Sequence, residues 1–233
     1  MSPVQGAYAL IQQIAAALAP IGGAAAAVIA VTIAVRLLLH PLTRAAVRGE
    51  KAKSRLAPRI AELQRQHAKD LPTMTRELTE LYKGEKISPF AGLLPMLVQV
   101  PFFIVLYQLF ASTTIGGHGN GLLTERLFGV PLSARFVPQL PGLGAQGWVF
   151  LVLFAVLSLL AWLGSRRVAK LARLQPTPPE GLLMKLAQVA PYAILISAAF
   201  LPLAAGMYLA TTTAWTAVEN VLLRRGVPEP ALG

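Results

Sequence analysis

Long apolar runs alternate with short basic stretches along this chain. Residues 21–39 hold nineteen positions that are apolar or small except for Thr32 and Arg36. A run of about 18 apolar residues is enough to cross a bilayer as a helix. The pattern predicts five such spans. The first covers 21–40 and is closed by Pro41. The second covers 89–111 and opens on Ser88-Pro89, a cap followed by a first-turn proline. The third covers 147–164, the fourth 182–201 and the fifth 203–223, the last two meeting in a tight hairpin at Leu201-Pro202-Leu203. Residues 1–20 read differently. Ala7, Ile11, Ile14 and Leu18 share one helical face, Gln12 and Gln13 lie off it, and Pro20 with Gly22-Gly23 ends the segment. This predicts a short helix lying on the membrane surface.

Residues 41–88 are too polar for lipid. Ala52, Leu56, Ile60 and Leu63 recur at helical spacing, as do Leu71, Met74, Leu78, Leu81 and Tyr82. Asp70-Leu71-Pro72 interrupts the pattern and Gly84 ends it. The reading is an antiparallel pair of amphipathic helices. The expected fold is therefore an all-α integral membrane protein.

Charge then sets the orientation. The chain is 55% hydrophobic and 13% charged, with 21 Lys and Arg against 10 Asp and Glu. A soluble domain carries about 25% charged residues. In a membrane protein a net +11 reads as the cytoplasmic positive bias, so no DNA is expected as a partner. Only Arg126 and Arg135 fall in the 112–146 loop, whereas eleven basic residues fall in 40–88 and five in 165–185. The expected arrangement has the N-terminus and the 112–146 loop outside. The 41–88 hairpin, the 165–181 loop and the 224–233 tail are then cytoplasmic. The hairpin's surplus of positive charge reads either as a solvated loop or as a docking surface for anionic headgroups, ribosomal RNA or a partner complex.

Several chemistries lack their parts. No cysteine is present, so disulfides, thiol catalysis and Cys-bound zinc are excluded. His40, His67 and His118 lack metal-ligand spacing, and neither a metal nor a cofactor is expected. GxxxxGK[ST], HExxH and GxSxG are missing, and the reading is of a non-enzyme. The start MSPVQGAYAL has no basic n-region, so no cleaved signal peptide is expected. The glycine-rich stretch 116–121 reads as a flexible loop. What stands out is Arg36, since a charge in mid-membrane costs roughly 2.5–3.5 kcal/mol on insertion scales. From position alone it either snorkels to the headgroups, pairs with Glu219, or lines a polar path.

Three stretches carry a resemblance. "VTIAVRLLLHPLTR", "RIAELQRQHAKDLPTMTRELTELYKGEKISPFAGLLPMLVQVPFFIVLYQLF" and "FLPLAAGMYLATTTAWTAVEN" are similar to the YidC/Oxa/Alb membrane protein insertase family, over about residues 20–225. The motifs are an Arg five residues before Pro-Leu-Thr, a Leu-Tyr-Lys closing the hairpin, and Pro-x-x-x-Gln-x-Pro-x-Phe in the second span. Size and the missing large external domain resemble the compact bacterial form, in the plasma membrane. The resemblance implies five helices around a hydrophilic groove, through which polar segments of client membrane proteins pass before their apolar segments enter lipid. It implies Arg36 as the groove's cation, Thr32 one turn before it, and Gln99 between the second-span prolines. The family's fifth-span aromatic pair falls on Ala210-Thr211 here. Tyr208 and Trp215 are the expected aromatic contacts instead, with Thr212 between them. Nascent membrane proteins and the bilayer are the implied partners, with the ribosome and a Sec translocon as candidates for the basic hairpin and tail. A small channel or transporter subunit with Arg36 setting anion preference is the alternative.

Overall fold

The computed structural model describes residues 2–67, 70–85, 94–139, 144–173 and 181–223. The Ser88-Pro89 start, residues 174–180 and the 224–233 tail lie outside the described residues. The chain folds as helices α1 (Pro3–Ala17), α2 (Gly23–Arg55), α3 (Ala57–Gln66), α4 (Leu71–Gly84) and α5 (Leu94–Ala111). After two small hairpins come α6 (Phe136–Gln139), α7 (Trp148–Arg173), α8 (Leu182–Val189), α9 (Ala193–Phe200) and α10 (Leu203–Leu223). Three stretches are long and apolar enough to cross a membrane: Gly23–Gly49, Trp148–Lys170 and Leu182–Phe200. Gln99–Ala111 is a shorter apolar stretch. The fifth expected span corresponds to α10, where Thr211, Thr212, Thr213, Glu219 and Asn220 dilute the apolar residues. The chain is thus a multi-pass, all-α membrane protein by composition and architecture.

Packing is consistent with lipid on the outside. Leu37, Leu38, Leu151, Leu159, Ile196 and Phe200 are exposed on the long helices, a pattern that a soluble surface avoids. Phe110, Phe150, Leu109 and Leu157 fill the interior, and α2 and α10 enter it with small residues: Ala24, Ala25 and Ala27 on α2, and Ala204, Ala205 and Gly206 on α10. Such residues let helix backbones approach closely. At Gly206 a Cβ would lie 2.7 Å from Leu153 Cδ2, so α10 and α7 meet where no larger residue fits.

Three features depart from the sequence expectations. Helix α2 does not end at Pro41 but runs through it to Arg55. The proline removes one amide from the ladder, and α2 keeps its helical course past it. Helix α1 packs against α2 and α5, burying Ile11 and Ala15 in the common core. The 112–146 segment is folded: β1 (Thr114–Ile115) pairs with β2 (His118–Gly119), and β3 (Arg126–Leu127) with β4 (Val130–Pro131).

Asn120 organises that segment. Its buried Nδ2 donates to the carbonyls of Leu109 at 2.6 Å and Ser112 at 2.9 Å, closing the end of α5. Its Oδ1 accepts from Leu122 N at 3.0 Å. At the far side of the segment, Leu203 N donates to Ala134 O and Ala204 N to Leu132 O, at 2.8 and 3.0 Å. The first amides of a helix have no partner within it, so α10 is seated on this segment. Among the polar helices, α3 and α4 are joined by Arg59–Glu85 at 3.6 Å and His67–Glu77 at 3.1 Å. Helix α4 starts on an Asp70 cap, whose Oδ1 accepts from Thr73 N at 3.2 Å.

Candidate functional site

Arg36 lies at the midpoint of Gly23–Gly49, thirteen residues from either end. It is half-buried and does not reach back to its own helix. Its Nε donates to Thr212 Oγ1 at 2.7 Å and its Nη2 to Thr212 O at 3.1 Å. Taking a backbone carbonyl is possible because Arg presents several donors in a fixed fork. From the third helix, Gln99 Nε2 donates to the same Thr212 Oγ1 and to Tyr208 OH, the latter at 2.7 Å. Thr212 Oγ1 thereby spends both acceptor lone pairs. One hydroxyl joins α2, α5 and α10.

Helical spacing explains why these residues meet. Tyr208 and Thr212 stand four apart on α10, one above the other. On α5, Gln99, Phe103 and Tyr107 form the matching stripe at steps of four. The rings of Phe103 and Tyr208 lie 5.7 Å apart and those of Phe103 and Tyr107 6.3 Å. A polar knot is therefore bordered by aromatic faces.

The structure brings together Arg36, Gln99, Tyr208 and Thr212, and leaves two expected residues apart. Thr32 is buried, but its hydroxyl donates to Val28 O of its own helix at 2.6 Å and takes no part in the knot. It lines a small apolar cavity with Tyr208, Ile11, Val35 and Phe102. Trp215 sits one turn beyond Thr212, and its Nε1 is buried without a hydrogen-bond partner among the described residues.

Glu219 has a closer partner than Arg36. This buried carboxylate is held by His40, with Oε1 and Nδ1 2.6 Å apart. His40 is four residues after Arg36 on α2, and Glu219 seven after Thr212 on α10. The two helices thus carry two polar rungs on facing stripes, Arg36–Thr212 and His40–Glu219. Sequence reasoning weighed His40 as a metal ligand and set it aside. The i+4 step from Arg36 and the i+7 step from Thr212 point to it only once α2 and α10 are known to face each other.

The polar seam sits in a chain with clear relatives. A family model described as 60Kd inner membrane protein matches residues 18–229. The Membrane protein insertase YidC of Mannheimia succiniciproducens is 27% identical over 207 residues, covering 88% of this chain and 34% of the relative. That of Shewanella woodyi is 41% identical over 103 residues, 44% of this chain and 19% of the relative. That of Actinobacillus pleuropneumoniae serotype 3 is 42% identical over 84 residues, 36% of this chain and 16% of the relative. The chain spans about a third or less of the length of these curated relatives. With the match running through α2, α5 and α10 alike, the chain belongs to the 60Kd inner membrane protein family, the YidC/Oxa/Alb family that its motifs resemble.

Proposed function

We propose that this protein is a membrane insertase that carries polar segments of client proteins across part of the bilayer along the Arg36 seam. The observation that carries the reading is a guanidinium inside an apolar run, held by a neighbouring helix. Arg36 spends two of its five N–H donors on Thr212. Its other donors have no protein partner among the described residues. They are available to a carboxylate or carbonyl of a passing segment.

In this reading five spans, 21–40, 89–111, 147–164, 182–201 and 203–223, surround a groove open to the cytoplasm. The N-terminus lies outside and the tail inside. Hydrocarbon offers no hydrogen bonds, so an unaided polar segment crosses at high cost. A polar path partway into the bilayer shortens the dry distance. Arg36 attracts acidic residues of the segment, more strongly where the local dielectric is low. The client's apolar segment then leaves between helices into lipid, a downhill step. No nucleotide site is required. Helices α3 and α4, which follow the basic end of α2 with Arg44, Arg48, Lys51, Lys53 and Arg55, form the cytoplasmic docking hairpin for a ribosome or translocon. The names of the relatives support the insertase reading over a channel.

The test is reconstitution. Purified protein in liposomes is expected to insert a reporter membrane protein without raising solute flux. Flux through the empty protein, with no insertion, overturns the reading in favour of a channel.

A further inference from the structure

The turn between β3 and β4 is built against its sequence. A two-residue turn with both φ values positive normally takes Asn-Gly or Gly-Gly. Here Phe128 occupies the first place at φ 48, ahead of Gly129 at φ 86. A bulky residue in that region is a steric outlier, so its surroundings must hold it there. Arg126 Nη1 donates to Gly129 O at 2.9 Å. The Gln146 amide covers Gly129 so closely that a Cβ there would lie 2.7 Å from Nε2. The strain does not serve burial, because Phe128 remains 69% exposed.

Its ring instead meets Trp148, 5.1 Å away and tilted by 45°. Trp148 is itself 45% exposed and is the first residue of the apolar stretch Trp148–Lys170. The next exposed side chains along α7 are Leu151 and Val152, so the aromatic pair continues directly into an apolar strip. Aromatic rings are enriched where hydrocarbon gives way to headgroups. Arg126 is an exposed cation at the base of the turn.

We propose that Phe128 and Trp148 form an aromatic anchor inserted at the headgroup–acyl boundary at the Trp148 end of α7, with bilayer phospholipid as the occupant of this exposed face. The tight turn holds the Phe128 ring beside the span, where a relaxed loop would leave it free to turn inward. Because the same segment seats the first amides of α10, the anchor ties that seat to the plane of the membrane. The inference needs α7 to span the bilayer and does not depend on the insertase reading.

Fluorescence tests it in the full chain. The protein has three tryptophans, Trp148, Trp162 and Trp215. Phe128→Trp with all three replaced by Phe leaves a single reporter at the tip. In phosphatidylcholine vesicles the emission is expected to be blue-shifted from that of free tryptophan. Bromine near the glycerol end of the acyl chain is expected to quench it more than bromine near the methyl end. Iodide, present on both sides, is expected to quench it severalfold less than free tryptophan. Emission and iodide quenching like those of free tryptophan overturn the proposal, and point to a face left for a protein partner. The second arm keeps Trp148 as the sole reporter and adds Phe128→Asn, a residue suited to the turn. Iodide quenching of Trp148 is expected to rise severalfold. An unchanged Trp148 means that it anchors alone, which overturns the pairing.

Discussion

Helices α2 and α7 both have the length and apolarity of a membrane span, yet α2 carries one cation, Arg36, well inside its apolar run and α7 carries none there. On α7 the cations Arg166, Arg167 and Lys170 gather at one end of the apolar stretch, and Arg166 lies 4.0 Å over the ring of Trp162 on its own helix. On α2, Arg44 and Arg48 likewise lie at one end of the stretch, but Arg36 lies eight residues further in and is held by another helix. An end-of-span charge needs only its own side chain to reach water. A mid-span charge needs a partner across the interface. Average apolarity treats the two helices alike, and the site becomes visible only when each charge is asked what holds it.

The largest effect is expected at Arg36. Arg36→Ala should reduce insertion of a client with two acidic residues in its exported segment tenfold or more, which a loss of about 1.4 kcal/mol already produces. A neutral client should be little affected, and Arg36→Lys should keep most activity. Insertion assays on a matched client series decide this. Equal loss for every client would make Arg36 a structural residue and erase the contrast with α7.

Next comes the second rung. His40→Ala should destabilise the protein by about 1–3 kcal/mol by stranding buried Glu219, below the full cost of a broken buried pair because His40 is partly exposed. Thermal unfolding in detergent measures it, and Glu219→Gln should recover most of the loss. A failure to recover would mean that Glu219 matters to something other than His40.

On α7 the effect should be small. Arg166→Gln removes a cation–ring contact worth about 0.5–1 kcal/mol at an exposed site and should leave insertion unchanged. A large loss of insertion would show that end-of-span charge does more than hold α7 at the interface.

Smallest of all is the response of Asp70, a carboxylate outside both helices. The side-chain and backbone hydrogen bonds from Thr73 hold its pKa below the usual value of 3.8. A depressed carboxylate stabilises the fold above its unfolded pKa, and the contribution disappears as pH falls through the folded one. The start of α4 should therefore loosen only in strong acid, seen in the Thr73 amide resonance. Asp70→Asn should remove the pH dependence while keeping a cap.

Much of this was legible in the residues. The apolar runs marked α2, α7 and the Leu182–Phe200 stretch, and Arg36 drew notice because a lone charge in such a run needs a cause. Gln99, Tyr208 and Thr212 were named through the family resemblance, and the fold joins them to Arg36. Thr32 failed as a member of that group because a buried threonine hydroxyl can bond back to its own helix, which spacing does not reveal. The two hairpins of the 112–146 segment escaped notice because two-residue strands leave almost no alternation to read. The Phe128-Gly129 turn escaped because phenylalanine is not a turn residue. His40–Glu219 depends on the register of two helices far apart in sequence, and a single chain carries no direct trace of that register.

One consequence concerns time. Arg36 and Thr212 are 176 residues apart. At about 5–20 residues per second of synthesis, Arg36 is made roughly 9–35 s before its partner. The seat for α10 on Leu132 and Ala134 is made in between. A growing chain therefore carries an unpartnered guanidinium on its first long helix until the last one docks. The protein must pass through its own version of the problem it is proposed to solve for others.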